Sequence, residues 1–167
     1  VTWSVIPLAI VLVIFTWGAS VFFAMARPPA DTLNIYVVGK QWMWKFQHME
    51  GRREINELHV PVGRPIKLTM TSEDVIHSFY VPAFRVKQDV LPGRYTTLWF
   101  EATKPGSYHL FCTEYCGTEH SRMIGRVFVL PPHDYETWLA GGAGIKTPVA
   151  RGGELFAAFN CNSCHQD

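Results

Sequence analysis

A chain of 167 residues with 48% hydrophobic side chains can bury one good core but has little length left for a second complete domain. Its 15 lysines and arginines nearly cancel its 14 aspartates and glutamates, leaving a net charge of +1. No global field is available to hold a nucleic-acid backbone or coat an anionic membrane, and nucleic-acid binding is set aside.

Residues 1–26, VTWSVIPLAIVLVIFTWGASVFFAMA, carry no charged side chain. At about 1.5 Å per residue such a helix outruns the roughly 30 Å hydrocarbon core of a bilayer, so a transmembrane helix is predicted over 1–27. A buried core helix seldom runs this long without a polar face. A secretory signal would bring a basic leading region and a shorter apolar run, although Ala24-Met25-Ala26 imitates a cleavage site. Arg27-Pro28-Pro29 then ends the helix, because two prolines lack donors and push the preceding residue out of the α region.

From Leu33 onward, short β-branched and aromatic runs alternate with turn residues: LNIYVV, WMWKFQ, INELHV, IKLTM, HSFYV, YTTLWFEA, SYHLF and RVFVL. Pro61-Val62-Gly63, Leu91-Pro92-Gly93 and Lys104-Pro105-Gly106 mark tight connections. Many short strands with few helices predict a mainly β domain over 31–140, a sandwich or barrel of Greek-key type. A short helix over His133–Leu139 should cap it, with Asp134 near the helix N-terminus. The Gly-rich stretch 141–150 reads as a flexible linker, and helical periodicity returns over Arg151–Phe159. The final segment, 151–167, is the start of a second, α-helical domain. Val1 at one end and the stop at Asp167, directly after a cysteine motif, suggest a fragment of a longer protein.

The four cysteines form two pairs, Cys112/Cys116 and Cys161/Cys164. In an exported protein an even count first suggests disulfides. Each pair, however, sits among metal or haem ligands, which a disulfide framework does not need. The loop Cys112-Thr-Glu-Tyr-Cys116-Gly-Thr-Glu-His120-Ser-Arg-Met123 combines two thiols, an imidazole and a thioether between two predicted strands. Soft sulfur with imidazole selects copper, zinc or iron–sulfur over magnesium or calcium. Zinc could be closed by Cys112, Cys116, His120 and an upstream His77, but it seldom needs a thioether, and Met123 tells against it. A single-copper electron-transfer site needs one cysteine. The second thiol changes the stoichiometry, since two bridging sulfurs can hold two coppers, each completed by one histidine and one weak ligand. Further on, Cys161-Asn-Ser-Cys164-His165 is a C-x-x-C-H haem attachment motif, in which two thiols add to the haem vinyl groups and the histidine becomes an iron ligand. A thioredoxin-like redox pair is disfavoured because no βαβ pattern precedes it. The chain stops before any distal haem ligand.

The loop C-x-E-x-C-x₃-H-x₂-M, together with Asp74-Val75-Ile76-His77-Ser78-Phe79, resembles the CuA site of cytochrome c oxidase subunit II, and the resemblance runs from residue 1 to residue 140. It implies a cupredoxin-like Greek-key β-sandwich in which His77, Cys112, Cys116, His120 and Met123 bind a dinuclear copper centre through their side chains. Glu114 would bind through its main-chain carbonyl, with its carboxylate facing a magnesium ion at the boundary with the catalytic subunit. Trp42, in Gly39-Lys-Gln-Trp42-Met-Trp44, would mark where electrons enter from cytochrome c, although alternating spacing alone also makes this run one face of a strand. Asp89 matches a family acid near the same boundary, or is a solvated loop carboxylate. With the haem c motif of Cys161, Cys164 and His165, the resemblance is to the subunit type that carries its own fused cytochrome c.

The function so implied is one-electron relay into a haem–copper oxidase that reduces oxygen to water and pumps protons. Expected partners are subunits I and III, membrane lipid, and cytochrome c or another respiratory complex as donor. The expected location is a bacterial inner membrane, with the copper and haem c domains on the periplasmic side. The family usually has a helical hairpin in the membrane, so the first helix is expected before Val1. The rivals are a CuA-bearing subunit of a nitric oxide reductase and a membrane-tethered copper carrier; a quinol-oxidase homologue would lack the copper ligands.

Overall fold

The computed structural model of the chain describes residues 1–141 together with Gly152, Gly153 and Phe156. The haem motif of Cys161, Cys164 and His165 lies outside the described residues, as does most of the linker and helix expected before it. The chain divides into two compact units, Val1–Tyr135 and Glu136–Asp167.

The first unit opens with helix α1, Thr2–Ala26, of which no residue is buried. Its length and composition suffice to cross a membrane. Near its end Trp99 Nε1 donates to the Met25 carbonyl at 2.7 Å.

Among the described residues ten strands follow, in two five-stranded sheets. The first sheet holds β1 (Leu33–Lys40), β2 (Met43–His48), β3 (Arg53–Ile55), β5 (Pro65–Ser72) and β8 (Thr96–Glu101), in the order β3-β2-β1-β5-β8. The second holds β4 (Glu57–Pro61), β6 (His77–Val81), β7 (Val86–Val90), β9 (Gly106–Cys112) and β10 (Ile124–Leu130), in the order β4-β10-β9-β6-β7. β1 lies parallel to β5 and β4 parallel to β10, while the remaining pairs are antiparallel. A parallel pair cannot be closed by a hairpin, so the chain crosses between sheets, as a Greek-key sandwich requires. Helix α2, Pro132–Leu139, comes after β10.

Alternation places the core. Ile35 and Val37 of β1, Trp44 and Phe46 of β2, and Ile66, Leu68 and Met70 of β5 are all buried. They face Leu58, Val60, Phe79, Leu110, Val127 and Val129 of the other sheet, also buried. Trp44 meets Phe79 edge to face at 5.4 Å, joining the two sheets immediately beside His77.

Two expectations of the strand pattern are revised. The run INELHV is two strands, because Asn56 adopts a left-handed φ of 58° and ends β3. Its side-chain oxygen accepts the Trp44 amide at 2.8 Å, and its own amide donates to the Trp44 carbonyl at 2.8 Å. The segment Val86–Val90, read as a loop, is edge strand β7, paired along β6. Lys87 and Asp89 point outward from it, so its sequence lacks the apolar alternation of a central strand.

Candidate metal centre

Three connections meet at one end of the sandwich: the β1–β2 turn, the segment leading into β6, and the loop from β9 to β10. Cys112 is the last residue of β9, and Cys116, His120 and Met123 lie on the loop that follows, ending one residue before β10. His77 opens β6 in the same sheet. Two residues after it, Phe79 pairs with Cys112 across the ladder, fixing the register of the imidazole against the thiol.

The sulfur and nitrogen donors expected for copper converge. Cys112 Sγ and Cys116 Sγ are 3.9 Å apart as free thiols. Cys112 Sγ lies 3.8 Å from His77 Nδ1 and 3.3 Å from the Glu114 carbonyl oxygen. Cys116 Sγ lies 3.3 Å from His120 Nδ1 and 3.8 Å from Met123 Sδ. The ligand atoms of His77, Cys112 and Cys116 fall within 4.8 Å of one another. Each cysteine therefore has one imidazole and one weaker donor at its side. His77, Cys112, Cys116 and Met123 are buried, whereas the Glu114 side chain is exposed. Two thiols, two imidazoles, a thioether and a carbonyl exceed the four ligands of a closed zinc site, and their softness fits copper.

Electrostatics point the same way. Burial disfavours ionisation of Cys112, but hydrogen bonds with His77 and with backbone groups outweigh it and hold this thiol below its ordinary value. Cys116 is pushed up to about 12, by burial first and by the neighbouring Cys112 charge second. The two thiols thus differ in how readily each gives up its proton, and a bound cation would have to displace the proton on Cys116. Burial opposes charge on His77 as well, yet Cys112 and Asp74 raise its pKa above the ordinary value.

The structure gives supporting roles to residues that lie within the quoted runs but had none assigned there. Asp74 accepts from His77 Nε2 at 2.9 Å, turning Nδ1 towards Cys112, and also accepts from the Gln41 amide at 2.8 Å. Burial works against its charge, but these donors hold its carboxyl below the usual range. Gln41 Nε2 and Trp42 Nε1 both donate to the Cys116 carbonyl, at 2.7 and 3.2 Å. A side chain on Gly39 would strike His77, and one on Gly117, whose φ is +117°, would strike Gln41. A glycine inside the β1 run was the one available signal, since a strand glycine often marks close approach of a neighbour. Half-buried Trp42 is thus tied to the cysteine loop, while Trp44 is core. Asp89 sits on β7 and accepts from the buried Ser78 hydroxyl at 2.8 Å.

Comparison with known proteins agrees with this geometry. Residues 50–128 match the family profile described as cytochrome c oxidase subunit II, periplasmic domain. Cytochrome c oxidase subunit 2 of Thermostichus vulcanus is 40% identical over 79% of this chain and 44% of its own length. The crystal structure of the periplasmic domain of cytochrome oxidase subunit II from Bradyrhizobium japonicum superposes with a TM-score of 0.66, at 32% identity, covering 70% of this chain and 96% of that one. A crystal structure of a mixed disulfide intermediate between a thioredoxin-like protein and subunit II of cytochrome c oxidase superposes with a TM-score of 0.62, at 31% identity, covering 69% and 93%. The chain spans less than half the length of the Thermostichus relative.

Proposed function

The chain belongs to the cytochrome c oxidase subunit II family, and on that premise we propose that it is the electron-receiving subunit of a haem–copper oxidase, relaying single electrons through a dinuclear CuA centre. The observation that carries this reading is the pairing of donors around two thiols 3.9 Å apart. Cys112 and Cys116 would bridge the metals. His77 and His120 would each supply Nδ1, with the Met123 thioether and the Glu114 carbonyl as weak ligands. A copper pair so held exchanges single electrons with little nuclear rearrangement.

The protein's share of the work is to keep those donors still. His77 is fixed to β6 and oriented by Asp74, and the cysteine loop is fixed at the Cys116 carbonyl by Gln41 and Trp42. Burial keeps water from the sulfurs. Trp42 is the proposed point where electrons enter, supported by its direct hydrogen bond to a ligand residue. The donor would be a haem c held by Cys161, Cys164 and His165, or a cytochrome c or respiratory complex acting from outside. Electrons would leave to the haem of subunit I, with subunit III in the same assembly, in the inner membrane of a bacterium with the copper domain on the periplasmic side. The exposed Glu114 carboxylate is the proposed magnesium contact at the subunit I boundary. The relative trapped in a mixed disulfide supports a thioredoxin-like reductant that keeps Cys112 and Cys116 as thiols until copper arrives.

Electron paramagnetic resonance of the copper-loaded chain tests the reading. A hyperfine pattern from one electron shared equally by two coppers is expected; one localised copper, or none, overturns it.

A further inference from the structure

A second cavity lies at the opposite end of the sandwich from the cysteines. Its volume is about 680 Å³, and its walls include Phe84, Val86, Trp99, Glu101, Lys104 and Tyr108. The five residues of β6 separate it from His77 by roughly 15 Å along the strand. Nothing in the electron relay uses it.

Its position relative to the membrane follows from one hydrogen bond. Trp99, a wall residue, donates Nε1 to the carbonyl of Met25, in the last turn of α1. An uncharged helix of 25 residues is about 37 Å long and exceeds the roughly 30 Å hydrocarbon core. Its last turn, followed by Arg27 and two prolines, therefore falls at headgroup depth, where tryptophan and tyrosine are favoured. The Trp99 wall of the cavity is thereby held at that depth.

Its chemistry is that of an amphiphile's binding site. Phe84 packs on Phe100 at 5.1 Å and on Tyr108 at 4.9 Å, and together with Val86 and Trp99 it makes an apolar wall. The charged wall residues, Lys104 and Glu101, are both exposed, and neither forms an ion pair among the described residues. A cation and an anion, unpaired, beside an aromatic wall at headgroup depth match a headgroup carrying both charges. We propose that the cavity binds a zwitterionic phospholipid, with Lys104 taking the phosphate, Glu101 the primary ammonium of an ethanolamine headgroup, and Phe84, Val86 and Trp99 the first acyl carbons. An anionic lipid would satisfy Lys104 but meet Glu101 as a repulsive neighbour. The volume lies within the range of built ligand sites and suits a headgroup with part of a chain.

The test uses the full chain in nanodiscs containing phosphatidylethanolamine and phosphatidylglycerol in equal amounts, with a photoactivatable analogue of each in turn. Crosslinked peptides are mapped by mass spectrometry, and co-migration of the chain with the discs establishes that α1 has inserted. The expected result is ethanolamine-lipid labelling concentrated on the peptides carrying residues 83–86 and 99–104, at least about fivefold above the glycerol lipid, a difference of about 1 kcal/mol. Lys104→Glu and Glu101→Lys should each abolish that preference, and Val86→Trp, which fills the cavity, should remove the labelling. Circular dichroism and thermal unfolding show whether each variant has folded. Labelling spread along α1 without enrichment at the cavity, or equal capture of both lipids, overturns the proposal.

Discussion

Gly39 lies against the imidazole of His77 so closely that a Cβ placed on it would stand 2.8 Å from His77 Cδ2 and 3.4 Å from Trp44 Cζ3. The glycine sits in β1 of one sheet and the histidine at the head of β6 in the other, so the contact sets their spacing at the metal-binding end. Gly39→Ala should push His77 off its line to Cys112. Overpacking of this kind costs about 1–3 kcal/mol. The expected outcome is an altered copper hyperfine pattern with the sandwich still folded, read by electron paramagnetic resonance beside circular dichroism. An unchanged spectrum would mean that the histidine can give way without losing its place.

Gln41 and Trp42 share one acceptor, the Cys116 carbonyl, and they differ in what they should control. Gln41→Ala removes the shorter bond and should cost about 1 kcal/mol of stability, together with a loosened cysteine loop and faster copper loss to a chelator. Trp42→Phe removes the longer bond and the indole, and should leave the copper spectrum intact while slowing reduction by an external donor in stopped flow. If Trp42→Phe is reduced as fast as the parent chain, electrons enter elsewhere.

The clustering of the five candidate donor side chains was legible in the sequence because Cys112, Cys116, His120 and Met123 share one short stretch and His77 lies in a distinctive strand; short-range spacing encodes short-range chemistry. Gln41 and Asp74 were not legible as supports. Gln41 joins Cys116 across 75 positions and Asp74 across 33, and nothing local records those bonds; Asp74 stands only three residues from His77, but spacing alone does not say that its carboxylate orients the ring. β7 escaped because Lys87, Gln88 and Asp89 interrupt its apolar pattern, which an edge strand tolerates since only one of its sides pairs. Asn56 hid a strand boundary inside a β-like run, because left-handed backbone is common enough for asparagine and its side chain repairs the ladder at Trp44.

Met123 and Cys112, the proposed weak and strong copper donors, should respond differently to removal. Met123 Sδ lies 3.8 Å from Cys116 Sγ, and its side chain is buried, so Met123→Leu preserves volume while withdrawing one donor. Two coppers should still bind, and the midpoint potential should rise, because the oxidised state loses a stabilising donor. Cys112→Ser withdraws one of the two thiols that would hold the copper pair and should abolish the shared-electron spectrum altogether. Redox titration and electron paramagnetic resonance on the same samples separate the two effects. Equal loss of copper in both variants would make Met123 as essential as the thiols.

Acid stability should be governed by a cluster away from the cysteine loop. Glu54 accepts from His48 Nε2 at 2.8 Å, from the His59 amide at 3.1 Å and from His59 Nδ1, while the Tyr135 hydroxyl meets the other nitrogen of His48 at 3.2 Å. The cluster ties β2, β3, β4 and the start of α2 together. Burial opposes the Glu54 charge, but the hydrogen bonds from the two histidines outweigh it and hold the carboxyl below its ordinary value of 4.5. A depressed carboxyl stabilises the fold fully above the unfolded-state value and progressively less as pH falls through 4.5 towards the folded-state value. Wild-type thermal stability should therefore drop on acidification across that window. Glu54→Gln should be less stable at neutral pH by about 1–3 kcal/mol, having lost charged acceptors for buried donors, and should lose less on acidification. Thermal unfolding of both proteins over an acid series decides it: parallel curves would place the acid-sensitive group elsewhere, whereas convergence below pH 4.5 assigns it to Glu54.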